Sequence, residues 1–165
     1  METYLFYIFS FITVWTVILM ILQKNPIASA TCLVISFFSL AALFALLNAH
    51  FVAVLQILVY AGAIMVLFIF VIMLLNLKKS ELMHEKMSRL SFFAIIIGLG
   101  LFSFLMMKFF LIPQIFFGEI SPSFGTAQEV GQSMFTQYAI PFELIGILLL
   151  VGIIGAVLLG RKDTD

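Results

Sequence analysis

The stretch QILVYAGAIMVLFIFVIMLLN, Gln56 to Asn76, contains no charged residue. At about 1.5 Å of rise per residue its length covers roughly 30 Å, the thickness of the hydrocarbon layer of a bilayer. Lipid offers no water to unpaired backbone groups, so a segment of this kind crosses as a helix whose hydrogen bonds are all internal. Its first half nevertheless carries Gln56, Tyr60 and Gly62, which a span serving only as an anchor would not need.

Working outward, the chain repeats this apolar character. Of its 165 residues 64% are apolar and 10% charged, against roughly 25% charged in a soluble domain, so lipid is the solvent for most of it. Five apolar segments appear, at about 3–22, 27–47, 51–77, 90–112 and 142–160, in one membrane domain spanning 1–165. Continuous apolar runs are helical, whereas a barrel strand alternates. The expected fold is therefore an all-α integral membrane protein of five transmembrane helices. The first segment lacks the basic start of a secretory signal and its apolar run is too long for one, so it reads as a retained span. No internal repeat is visible, which gives no support to an inverted-repeat transporter plan.

The connections set an expected orientation. Lys24, the segment Lys78–Arg89 and the final RKDTD carry the basic residues, while the turn Asn48–His50 and the segment Pro113–Ile140 contain no Lys or Arg. With five spans the basic connections share one face, which the positive-inside rule assigns to the cytoplasm, leaving the N-terminus outside and the C-terminus cytoplasmic. Lys108, near the outer end of the fourth span, dissents, and its long side chain can snorkel to the interface. The outer loop 113–140, rich in Gly, Ser, Gln and Pro, is long for a compact connection; it is expected to cover something and has room for a short interfacial helix.

Sites for enzymatic chemistry are missing. There is no phosphate-binding glycine loop, no paired carboxylates and no CxxC. Cys32 is the single cysteine and reads as a packing residue; His50 and His84 fall on opposite faces of the membrane and cannot share a metal. Net charge is zero, so no long-range field draws nucleic acid. Glu143 is the carboxylate nearest to the membrane interior. Two residues after Pro141, it reads either as a helix-start carboxylate facing the positive end of the dipole, or as a proton-relay or partner-pairing group. Gly152, Ala156 and Gly160 recur every four residues in the last span, as Ala41, Ala45 and Ala49 do in the second. Such ridges let another helix approach closely, within the bundle or in a neighbouring subunit.

Within the opening stretch, Gln56 and Tyr60 are four residues apart and are expected on one helix face. From Tyr60 to Asn76 no hydrogen-bonding side chain intervenes, roughly 24 Å of dry helix at the α-helical rise. The polar pair serves either to join helices or to mark the wet edge of that dry stretch. Gly62, between Ala61 and Ala63, is where a π-type bulge is most easily accommodated, freeing a carbonyl and swinging Met65, Val66 and Phe68 by a fraction of a turn.

The segments VYAGAIMVLFIFVIML and PFELIGILLLVGIIGAVLL resemble the J subunit of bacterial NADH:quinone oxidoreductase (respiratory complex I), the counterpart of mitochondrial subunit 6. The resemblance covers essentially the whole chain. It implies a multi-pass subunit of the bacterial inner membrane that binds no cofactor itself; NADH, FMN, iron–sulfur clusters and quinone belong to the whole complex. It implies as partners the four-carboxylate subunit K, the subunit that forms the quinone channel and the antiporter-like subunits, with the lipid bilayer around them. It also implies a third helix whose π-bulge interconverts with regular helix and makes or breaks a water wire. That gate would centre on Gln56, Tyr60, Gly62, Met65, Val66 and Phe68, with Met65 and Val66 as the dry constriction. Related subunits of cation/proton antiporters and of ferredoxin- or hydrogenase-linked membrane complexes, or a purely structural assembly role, are the alternatives.

Overall fold

A computed structural model of the chain describes residues 1–75, 89–111 and 123–161. The helices in chain order are α1 (Glu2–Leu22), α2 (Pro26–Leu46), α3 (His50–Leu55), a π-helix (Gln56–Ile64), α4 (Met65–Leu75), α5 (Arg89–Leu111), α6 (Ala127–Thr136) and α7 (Ala139–Gly160). α3, the π-helix and α4 run on without a break as the third span, His50–Leu75. Among the described residues four helices are long and apolar enough to cross a membrane: α1, α2, this composite and α7. α5 is helical where the sequence places a further span, and its apolar part with described side chains is Ile96–Lys108. Asn76, the basic connection up to Ser88 with His84, and the tail after Arg161 lie outside the described residues, as does 112–122 of the long outer loop.

Local chemistry explains the boundaries. Between α1 and α2, Asn25 caps the second helix, its side chain accepting from the Ile27 N–H at 3.0 Å, and Pro26 takes the first helical position. Pro loses nothing there, because that N–H has no intrahelical partner. Ser29 then ties the hairpin across, its Oγ donating to the Met20 carbonyl at 2.9 Å. α2 ends where Asn48 adopts φ 61°. The Ala49 N–H donates to the Phe44 carbonyl at 2.9 Å and the Asn48 N–H to the Ala45 carbonyl at 3.1 Å. Those two bonds satisfy the last carbonyls of the helix in a Schellman closure, with Asn tolerating the left-handed position.

The packed part of the chain is a three-helix unit. α2 lies between α1 and the third span and touches all three segments of the latter. Its buried positions are small residues, Ala30, Ser36, Ser39 and Ala41 on α2, which packs on both neighbours. Ala53 and Ala61 on the third span are small and buried as well. In lipid the hydrophobic effect does not drive helices together, and close backbone approach between small side chains supplies the packing instead. α7 packs only on α6, by its edge-on Phe135–Phe142 ring pair at 4.9 Å, and α5 packs on no other element among the described residues. Lys108 places its Nζ over the Phe104 ring at 5.7 Å, so the charge finds a partner on its own helix.

The capping arrangement yields a local prediction. Replacing Asn25 with Ala removes the only side-chain partner of the Ile27 N–H and costs about 1 kcal/mol at the start of α2. Amide exchange at Ile27 is expected to quicken roughly fivefold while α1 is unaffected; unchanged exchange would show that the cap contributes nothing.

Candidate functional site in the third span

Regular α-helix fills all but nine residues of the third span. Over Gln56–Ile64 the backbone runs as a π-helix, in which each N–H reaches back five residues instead of four. Its far end shows the switch directly. The Met65 N–H donates to the carbonyls of Tyr60 and Gly62, five and three residues back, skipping the Ala61 carbonyl that an α-helix would use. The residues Ala61, Gly62 and Ala63 keep this widened turn uncrowded. A Cβ at Gly62 would stand 3.2 Å from the Ile57 carbonyl oxygen, tighter than side chains ordinarily tolerate.

The wider turn decides which residues face α2. Buried positions along the span are Ala53, Gln56, Ala61 and Met65. Steps of three and four are what an α-helix allows on one face, and the step of five from Gln56 to Ala61 crosses the π segment. Gln56 is 6% exposed and Tyr60 49%. Tyr60 also meets α2, its ring edge-on against Phe37 at 5.7 Å between centroids, while Ala61 beside it takes the buried position. In a continuous α-helix the face below Gln56 would run through Tyr60 and Ile64.

The remaining residues singled out from the sequence divide. Met65, 3% exposed, joins the stripe facing α2, whereas Val66 at 64% and Phe68 at 48% point away from the bundle. Met65 and Val66 thus lie on different faces of the span. Glu143 is exposed, and its reading as a helix-start carboxylate needs correction. α7 begins at Ala139, with Phe142 N–H donating to the Tyr138 carbonyl, so Glu143 is the fifth helical residue and falls beyond the first turn. The dipole acts mainly within that turn. Gly152, Ala156 and Gly160 are exposed, and a Cβ at either glycine would meet nothing within 4 Å, so no described residue packs on the ridge. Among the described residues no group of His, Cys, Asp and Glu could hold a metal. Ala61 and Phe37 are the site members that sequence reasoning missed. The small Ala-Gly-Ala triplet flagged the first, and nothing local flagged the second.

Residues 16–159 match the family model described as NADH-ubiquinone/plastoquinone oxidoreductase chain 6. Three relatives illustrate the range. Subunit J of the NADH-quinone oxidoreductase of Buchnera aphidicola is 36% identical, over 96% of this chain and 98% of its own. Subunit J of the Escherichia coli K12 enzyme is 34% identical over 96% and 86%. The chloroplastic NAD(P)H-quinone oxidoreductase subunit 6 of Staurastrum punctulatum is 40% identical over 83% and 78%.

Met65 is the largest side chain buried in the stripe facing α2. Truncation to Ala leaves a void there and is expected to cost about 2–5 kcal/mol, seen as a lower temperature at which the extracted protein loses its helical signal. The same change at Val66, on the exposed face, is expected to cost less than half as much; equal losses would contradict the assignment of faces.

Proposed function

Because the chain belongs to the NADH-ubiquinone/plastoquinone oxidoreductase chain 6 family, we propose that it is a non-redox membrane subunit of NADH:quinone oxidoreductase that couples quinone reduction to proton translocation through its third span. In this reading the chain crosses the bacterial inner membrane five times, α5 being the fourth crossing, with the N-terminus outside and the C-terminus in the cytoplasm. Electrons pass through NADH, FMN, iron–sulfur clusters and quinone held by other subunits. The four-carboxylate subunit K, the subunit that forms the quinone channel and the antiporter-like subunits are its neighbours, and α5 and α7, which pack on nothing in the three-helix unit, are the surfaces they would meet.

The observation that carries the proposal is the π-helix at Gln56–Ile64 in an otherwise dry, α-helical span. Converting it to α-helix removes a residue from the wide turn and rotates one half of the span against the other by about 100°, one residue's share of a helical turn. Tyr60 and Ile64 would then take the places of Ala61 and Met65 against α2, and the outward face carrying Val66 and Phe68 would turn with them. Water can follow a polar face and stops at an apolar one, so a rotation of this size makes or breaks a hydrated path without any titratable group in the span. The proton itself is carried by neighbouring subunits, since the spans of this chain hold few ionisable side chains, among them Glu143 near the start of α7 and Lys108 near the end of α5, too few to form a relay across the membrane.

Two substitutions test the reading. Gly62→Val places a stiff, branched side chain against the Ile57 carbonyl. Overpacking costs about 1–3 kcal/mol, enough to move the balance of π and α forms roughly 5- to 150-fold. The complex is expected to assemble in normal amount with NADH:quinone turnover, or protons moved per NADH, reduced several-fold. Normal turnover and normal pumping in an assembled Gly62→Val complex count against the gate. Glu143→Gln is expected to leave both near normal, and a large pumping loss in intact complex would assign that carboxylate to the proton path.

A further inference from the structure

A rotation inside a helix has to be delivered to one end or the other, and the His50 end of the third span is held from outside the span. The Phe51 N–H donates to the Gly125 carbonyl at 2.9 Å. Phe51 is the second residue of α3, so this is one of the N–H groups that a helix start cannot satisfy by itself. α3 has no side-chain cap of its own, and a carbonyl from 74 residues further along the sequence takes that place.

Gly125 is the one residue type that fits. Its φ is 72°, and a Cβ there would overlap the Asn48 carbonyl oxygen while lying 2.9 Å from the Ala49 Cα. The two backbones therefore touch directly, at the left-handed Asn48 that closes α2. The next residue, Thr126, starts α6: its Oγ accepts from the Glu129 N–H at 3.4 Å and donates to the Ser123 carbonyl at 2.7 Å. α6 packs on α3 on one side and on α7 on the other. The turn that joins α2 to α3 and the segment that leads into α6 thus form one block of backbone around His50.

We propose that Gly125 is a positioning residue that pins the His50 end of the third span, so that conversion of the π segment turns the far half, Met65–Leu75, and not the near half. The inference rests on the gate reading above and adds the direction in which the rotation is delivered. With the near end fixed by the Phe51–Gly125 bond and the Schellman turn at Asn48, the far half is the part free to turn. Among the described residues α4 is held only by α2 and by the π-helix itself. A pin of this kind stays closed through the whole cycle.

The test uses the intact complex in membranes, carrying Gly125→Ala or, as a control on the same outer helix, Gly131→Ala, whose Cβ meets nothing within 4 Å. Protons moved per NADH are measured beside NADH oxidation by a soluble artificial acceptor. Gly131→Ala is expected to change neither quantity. Gly125→Ala is expected to lower the proton ratio at least twofold while the soluble-acceptor rate stays the same. An unchanged ratio in assembled Gly125→Ala complex overturns the pin; if Gly62→Val is impaired in the same assay the gate survives, and if it is normal the gate fails too. Should Gly125→Ala not assemble, amide exchange of the unaltered complex decides. The Phe51 N–H is expected to exchange slowly both at rest and during turnover, and faster exchange during turnover overturns the proposal.

Discussion

Inside a bilayer every backbone N–H and carbonyl has to be satisfied by the chain itself, and the third span meets that requirement in an unusual way. Over Gln56–Ile64 the bonds reach five residues back, then hand over to α-helix at Met65, whose N–H is shared between two carbonyls. Much else follows from this one change of pitch. It moves the inward face from the Gln56–Tyr60 line to Ala61 and Met65, and it sets Tyr60 against Phe37. It also leaves Val66 and Phe68 on the surface. A π-turn costs more than the α-turn it replaces because its bonds are less well aligned, and the crowding of a Cβ at Gly62 against Ile57 indicates how narrowly it fits. A segment held in the less common of two closely related backbone forms is a natural place for a switch, and that is the basis of the proposed coupling role.

The same structure explains why the chain belongs in an assembly. α1, α2 and the third span share a seam of Ala and Ser, but α5 and α7 contribute nothing to it. Not one position of α7 is buried. Its Gly152–Ala156–Gly160 ridge offers close approach to a helix that this chain does not supply. The segment before α7 is anchored at the His50 end of the third span, by backbone contact at Gly125, so among the described residues the last helix is tied to the bundle through α6 alone.

How far the sequence disclosed this depends on the range of the interaction. Apolar runs of about twenty residues mark membrane helices because lipid leaves the backbone no alternative, and four helices among the described residues are long and apolar enough to cross a membrane. Gly62 with its two alanines marked a place where the helix could widen, since crowding there is local. The extent of the widening was not legible, because whether Tyr60 or Ala61 takes the buried position against α2 depends on a five-residue hydrogen bond that no side chain specifies. Glu143 was misplaced within its helix for a related reason: Ala139 and Ile140 join α7 without a capping side chain to announce the start. Thr126 and Glu129, by contrast, form a readable capping pattern. What no local pattern could convey is that the glycine before it touches Asn48, a contact made by two turns distant in sequence.

The most direct measurement is to image the assembled complex at rest and during steady turnover with NADH and quinone, and to trace residues 56–65 in each state. The account predicts two backbone classes under turnover. In one, the π-helix buries Ala61 and Met65 against α2; in the other, a continuous α-helix puts Tyr60 and Ile64 there. A single π-helical class with the same buried face at rest and during turnover would contradict it.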